Sequence, residues 1–255
     1  MNVVERVKTG IPGLDKLIEG GIPRGALVLL SGQAGAGKTI FGLQYIVKGA
    51  MEYGEKGMYV SFEQKREDII MQANRFGWNL EDLEKNGQIK LECLELTDAS
   101  IANIIEGVYN TVVDFKPARL VIDSLAIVGI YAGIFGGVEI TEMLDIKTSD
   151  RIGISGEAIT RKAMMWVFGK FKKTGVTGIF ISELAEETVW LSRDTISEFL
   201  ADGVVVLRYT TIGGESFGTL EIRKMRSTNH KHGLYPTLIT NEGFMVGEES
   251  TVVLK

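Results

Sequence analysis

Gly32-Gln33-Ala34-Gly35-Ala36-Gly37-Lys38-Thr39 reads G-x-x-x-x-G-K-T, and no other stretch restricts the fold of this chain as tightly. The pattern is a phosphate-binding loop, and each fixed position has a mechanical reason. The glycines let the backbone turn sharply, so that successive N–H groups from Gln33, Ala34, Gly35, Ala36, Gly37, Lys38, Thr39 and Ile40 can point inward at phosphate oxygens. Lys38 supplies a mobile cation for the β- and γ-phosphates of a nucleotide. Thr39 offers a hydroxyl to a magnesium ion. The flanks agree with this reading. Ala26 to Leu30 is a short apolar run of the kind that makes a buried strand. After the loop, Ile40, Phe41, Leu43, Ile46, Val47 and Ala50 recur at helical spacing. Strand, glycine loop and helix together aim a helix N-terminus at an anion.

The rest of the chain repeats the strand–helix alternation. Lys56 to Phe62 reads as a strand that ends at Glu63, and Ile89 to Leu96 as another. Ile101, Ile104, Ile105, Val108, Tyr109, Val112 and Val113 form an apolar helical stripe. Arg119 to Ile122 is a strand ending in Asp123-Ser124, and Gly178 to Ile181 one ending in Ser182-Glu183. Gly203–Tyr209 and Gly218–Lys224 alternate about Gly213-Gly214 and predict an antiparallel hairpin. Leu234 to Thr240 is expected to add a last edge strand, with a short tail from Asn241. Residues 129–156 carry Gly129, Gly133, Gly136, Gly137, Gly153 and Gly156, and read as a mobile surface insertion with a turn of helix near Glu139 to Leu144. The expected class is therefore α/β: a mainly parallel twisted sheet, helices on both faces, and an added C-terminal β-hairpin.

With 255 residues, 45% of them hydrophobic, residues 1–255 suffice for one large domain. The net charge of −5 does not favour sequence-independent nucleic-acid binding as the main task. No apolar run approaches the ~18 residues that span a bilayer, and no signal peptide is expected. Cys93 is the single cysteine, which excludes an intrachain disulfide and fits a reducing, cytoplasmic setting. It reads as a small core residue. Two histidines two residues apart and one distant cysteine do not make a zinc site.

Nucleotide hydrolysis needs a phosphate cradle, a metal, an activated water and cations for developing charge. Asp123, closing an apolar strand, is the candidate metal ligand beside Thr39. Glu63, at the carboxyl end of a strand, is the candidate for water activation. Lys224 and Arg226 close the hairpin. Strict alternation puts them on one face, with Glu221, Arg223 and Met225 on the other. By themselves, two such basic residues read as a solvated edge.

The order Thr9-Gly10-x-x-Gly13-Leu14-Asp15, then Gly20-Gly21-Ile22-Pro23, then the phosphate loop resembles the opening of the KaiC/RadA branch of the RecA-like ATPases. The resemblance covers residues 1 to 240, apart from 129–156. It implies a RecA-like P-loop NTPase fold, with ATP and Mg2+ as ligands. Val60-Ser61-Phe62-Glu63 is similar to the segment that ends in the family's catalytic glutamate. Many KaiC-like domains carry two glutamates there; this chain has Glu63-Gln64. Losing the charged neighbour removes like-charge repulsion that would raise the pKa of Glu63, so slow turnover is expected. Thr219 to Tyr235 is similar to the KaiC segment that reaches into a neighbouring subunit's ATP site. That implies Lys224 and Arg226 acting in trans, His230 and Lys231 near the adenine or ribose, and a homo-oligomer, in KaiC-like form a hexameric ring. Glu183 is placed to sense the γ-phosphate, or else to cap a loop. No phosphorylation site is predicted around Thr148 to Thr160. The expected function is that of a ring ATPase with a regulatory or signalling role and a regulatory protein as partner. Two alternatives stay open: a RecA/RadA-like DNA-dependent ATPase in recombination or repair, and a nucleotide-gated scaffold that hydrolyses little.

Overall fold

A computed structural model describes residues 4–94, 101–135, 156–186, 188–212 and 215–248. A nine-stranded sheet runs through the middle in the order β11-β10-β9-β8-β3-β7-β6-β4-β5. Its parallel part is β3 (Leu27–Gly32), β4 (Gly57–Ser61), β5 (Ile89–Cys93), β6 (Arg119–Asp123), β7 (Thr177–Glu183) and β8 (Gly203–Ile212). β9 (Glu215–Met225), β10 (Leu234–Thr240) and β11 (Gly243–Val246) continue it antiparallel. Two short strands, β1 (Arg6–Val7) and β2 (Ile22–Pro23), pair outside this sheet and frame a 3-10 turn, Asp15–Ile18.

The strands are apolar on both sides because both sides are covered. Val28 and Leu30 of β3 join one core with α1 (Lys38–Tyr53), α2 (Arg66–Asn74) and α3 (Leu80–Lys85). Leu27 and Leu29 join the other, with α4 (Ile101–Phe115), α5 (Ala126–Phe135) and α6 (Gly156–Lys172). This is the expected α/β class with helices on both faces. Cys93 pairs in register with Ser61 and packs against the first core, with burial raising its pKa, as befits a structural thiol.

Two boundaries differ from the sequence reading. Residues 129–135 are not irregular: they continue α5, and Gly156 opens α6, so glycines there sit in helices. The centre of the expected insertion, 136–155, including the helical turn placed at Glu139 to Leu144, lies outside the described residues. The tail from Asn241 is also misread. Its residues 243–246 form β11, which displaces β10 from the edge and buries Phe244 and Val246. The reason is Gln44 on α1. Its Oε1 accepts from the Phe244 amide at 2.6 Å, and its Nε2 donates to the carbonyls of Phe244 and Gly10, each at 3.0 Å. Gln44 is 1% exposed. Replacing it with alanine is expected to lower stability by about 2–3 kcal/mol, because buried backbone groups lose their partners. The check is a lower urea midpoint at an unchanged denaturant slope.

Candidate functional site

The phosphate loop leaves the carboxyl end of β3 and enters α1. Gly35 and Gly37 have φ of 76° and 89°, the left-handed region that other residues rarely adopt. A Cβ on Gly37 would also stand 3.1 Å from Ile239 and Phe244. Two amides expected to face phosphate are engaged otherwise: that of Gln33 donates to Leu207 O of β8, and that of Ala36 to Gln33 O within the loop. The amides of Lys38, Thr39 and Ile40 precede the first intrahelical bond, Phe41 N to Gly37 O, and belong to the donors a helix start leaves for an anion. Tyr209 of β8 braces the loop: its amide donates to Gln33 Oε1 at 2.7 Å and its hydroxyl to Gly35 O at 2.8 Å.

The parallel sheet brings four further side chains to this end. Thr39 Oγ1 donates to Asp123 Oδ2 at 2.9 Å. Tyr59 donates to the same oxygen at 2.6 Å. Glu63 accepts a hydrogen bond from Ser124, the residue after Asp123, across a cis peptide. The turn that carries Glu63 is fixed by Ser61 Oγ, which accepts from the Gln64 amide at 3.0 Å. Glu183 pairs in register with Gly32, which places it beside the loop's first residue. The structure therefore brings Lys38, Thr39, Asp123 and Glu63 together. Tyr59, Ser124 and Tyr209 escape the sequence reading. The signal for Tyr59 was its phenol: a fully buried tyrosine hydroxyl needs a partner.

The charges act on one another. Burial lowers the pKa of Lys38, against the pull of Glu183, Asp123 and Glu63. Its ammonium donates to Gly32 O at 3.0 Å and Gln33 O at 2.9 Å, two of the three N–H groups it owns. Burial raises Asp123, opposed by the hydrogen bonds from Tyr59 and Thr39. Burial also raises Glu63; its bond from Ser124 and the Lys38 charge work against that, while Glu183 and Asp123 add to it. The expectation that Glu63 lacks a repelling neighbour is thus overturned. Gln64 sits next to it in sequence, but Glu183 and Asp123 supply the like charge from β7 and β6.

All the acidic and hydroxyl groups here are oxygen donors, which suits Mg2+. Among the described residues there is no group of three or more His, Cys, Asp or Glu that could cage a metal. Mg2+ characteristically needs no such cage, since substrate phosphates and water complete its shell. Thr39 and Asp123 are the residues that fit.

Lys224, Arg226 and His230 are elsewhere. Gly203 pairs with Val28 and with Met225, whereas Leu207 pairs with Gly32. The end of β9 therefore lies about four residues, roughly 13 Å, below its own phosphate loop. The face assignment needs correction too. A bulge between Val204 and Val205 leaves Arg223 unpaired. Without it, Lys224 would share the face of Leu220 and Ile222, both buried in the first core. With it, Met225 enters that core, and Lys224 turns to the other side. There its ammonium donates to Glu198 O, Phe199 O and Ala201 O at the end of α7 (Ser197–Leu200). Met225 and Glu221 do not share a face. His230 lies beside His232, with ring centroids 4.8 Å apart, and the neighbouring Lys231 amide bonds Leu17 O.

A model of the KaiC ATPase family matches residues 7–133 and 144–251. The circadian clock oscillator protein KaiC of Parathermosynechococcus lividus is 30% identical over 251 residues, and that of Nostoc sp. 31% over 255. Each alignment takes in 95% of this chain, which spans 42% and 44% of those proteins' lengths. The crystal structure of a KaiC-like protein from the hyperthermophilic archaeon Pyrococcus horikoshii superposes with a TM-score of 0.77 at 36% identity, covering 96% of this chain and 99% of that one.

Proposed function

The chain belongs to the KaiC family of ATPases, and from that premise we propose that it hydrolyses ATP with Mg2+ in a homo-oligomeric ring. The observation that carries the reading is the Thr39–Asp123 contact, with Lys38 next to Thr39 in the loop and Glu63 bonded to Ser124, the residue after Asp123. The helix-start amides and Lys38 would hold the phosphates. Thr39 and Asp123 would hold Mg2+, which would supply neutralisation of the phosphate charge. Tyr59 fixes Asp123 in place. Glu63 orients a water and takes its proton.

The remaining cations come from a neighbour. Lys224 and Arg226 are too far below their own phosphate loop to reach it, and this distance supports their use by the next subunit. His230 would approach the base or sugar from the same side. A ring of this kind would act in the cytoplasm and signal nucleotide state to a regulatory protein. The net charge of −5 lends no support to a DNA-dependent role.

Glu63→Gln tests the chemistry. Turnover is expected to fall about 10²- to 10⁴-fold, with nucleotide affinity kept, since the amide still accepts from Ser124. The pH profile provides a second check. Glu63 works as the carboxylate, and its pKa lies above the ordinary glutamate value. Activity should be full above that raised pKa and fade as pH falls through it. The acid limb therefore stands higher than for an exposed glutamate, and it should vanish in the residual activity of the variant. An unchanged rate in phosphate release would remove Glu63 from the mechanism.

A further inference from the structure

Lys224 and Arg226 are long side chains, and a long side chain that must be ordered at the moment of assembly contributes less than one already in place. The segment that carries them is anchored at successive points by its own chain. At Lys224 the anchors are the three carbonyls ending α7. At Arg226 the anchor is Asp202, the residue just before β8. The Arg226 amide donates to Asp202 O at 2.8 Å, and one guanidinium nitrogen donates to Asp202 Oδ1 at 3.1 Å. Lys172 of α6 donates to that same oxygen, and the Leu27 amide to Oδ2 at 3.1 Å. Asp202 thus ties the arginine to the first residue of β3, the strand that leads to the phosphate loop. Burial would raise its pKa, but the bonds from Lys172, Leu27 and Arg226 outweigh that and hold it below the ordinary aspartate value, so it is ionised at neutral pH.

Just beyond, Arg6 holds the turn that follows Arg226. One nitrogen donates to Thr228 Oγ1 at 2.9 Å and to the carbonyls of Ile18 and Gly21 at 3.2 Å each. The other donates to Ser227 O at 3.1 Å and to Glu19 at 2.6 Å. Ser227 has a φ of 54°, a conformation that needs such support in a residue other than glycine. The Arg6 side chain is 14% exposed, while that of Arg226 is 54% exposed. The anchors are inside and the guanidinium to be presented is outside.

We propose that Arg6 and Asp202 are positioning residues for the reaction in the neighbouring subunit: they pre-set the Lys224–Thr228 segment so that Arg226 is delivered in a fixed geometry. The inference rests on the shared-site reading above. Asp202 bonds the start of β3 and Arg6 pairs with Pro23, both away from their own phosphate loop, and each acts through Arg226.

Mixed assemblies test it. Lys38→Ala keeps a sound Arg226 segment but loses its phosphate loop; Arg226→Ala does the reverse. Co-expressed, the two should recover turnover that neither has alone. Asp202→Asn and Arg6→Ala assemblies should each lose about 10- to 100-fold in kcat, with KM for ATP within about twofold of the parent. Each should recover turnover when co-expressed with Lys38→Ala, and neither when co-expressed with Arg226→Ala. If these variants keep the parent kcat, or if Lys38→Ala rescues Arg226→Ala but not them, the positioning role is wrong. If Lys38→Ala fails to rescue even Arg226→Ala, the shared-site reading itself falls, and this inference with it. Should Asp202→Asn fail to fold, Arg6→Ala decides alone, because Arg6 lies in a two-residue strand outside the main sheet.

Discussion

Alanine at Lys38 is expected to abolish useful ATP turnover, by a factor on the order of 10²–10³ or more, and to weaken nucleotide binding with it. Lys38 is the cation carried by the loop itself, and the charges felt at it are carboxylates: Glu183, Asp123 and Glu63. A triphosphate arriving without Lys38 would meet three acids with no ammonium in the loop, and Arg193, 3.7 Å from Glu183, is already paired with one of them. A single pair of unit charges 4 Å apart is worth about 4 kcal/mol at an effective dielectric near 20. Affinity as well as rate should therefore suffer, which distinguishes this variant from Glu63→Gln. The fold should survive. Lys38 is the first residue of α1, and its ammonium bonds only the carbonyls of Gly32 and Gln33, a net contribution of about 1–2 kcal/mol. Calorimetric titration with ADP and ATP, phosphate release and a urea melt together make the check. Unchanged affinity and rate in a folded protein would remove the phosphate-loop assignment.

What the sequence made legible was whatever is encoded locally. The phosphate loop is eight adjacent residues, and the strands leading to Glu63, Asp123 and Glu183 are continuous apolar runs, buried on both faces. A parallel sheet then carries all strand ends to one side, so naming the strands almost names the site. Three of the misreadings share one cause: contacts made far away in the chain. β11 is a four-residue strand whose burial depends on Gln44, 200 positions earlier. The electrostatics of Glu63 were judged from Gln64, its neighbour in sequence, whereas Glu183 and Asp123 are its neighbours in space. No glycine or proline beside Arg223 marks the bulge. It reflects what fits across the ladder: a Cβ on Gly203 would stand 2.7 Å from the Met225 sulfur, so the glycine leaves room for the methionine that the bulge turns inward. Alternation alone would have driven a lysine into an apolar core, and that conflict was the available warning.

Arg226→Ala should separate binding from hydrolysis. A cation delivered by a neighbour to the developing charge of phosphoryl transfer is worth about 10³- to 10⁵-fold where it acts fully. With Lys224 still present in the same segment, a loss of about 10²- to 10³-fold is expected here. Nucleotide affinity at the variant's own loop should change little at subunit concentrations too dilute for assembly, because that loop lies roughly 13 Å up the sheet. Arg226→Lys should recover only part of the loss: an ammonium keeps the charge but not the planar fork, one arm of which Asp202 already holds. The same geometry makes the parent rate per subunit depend on protein concentration, rising as native mass shifts from single chains to assemblies, whereas the variant's residual rate should stay flat. A strictly monomeric parent preparation turning over at the full rate would refute the shared site directly. In that case the basic segment at the foot of the sheet would revert to a solvated edge, and Asp202, with its bonds to Leu27, Lys172 and Arg226, to a device for closing the sheet.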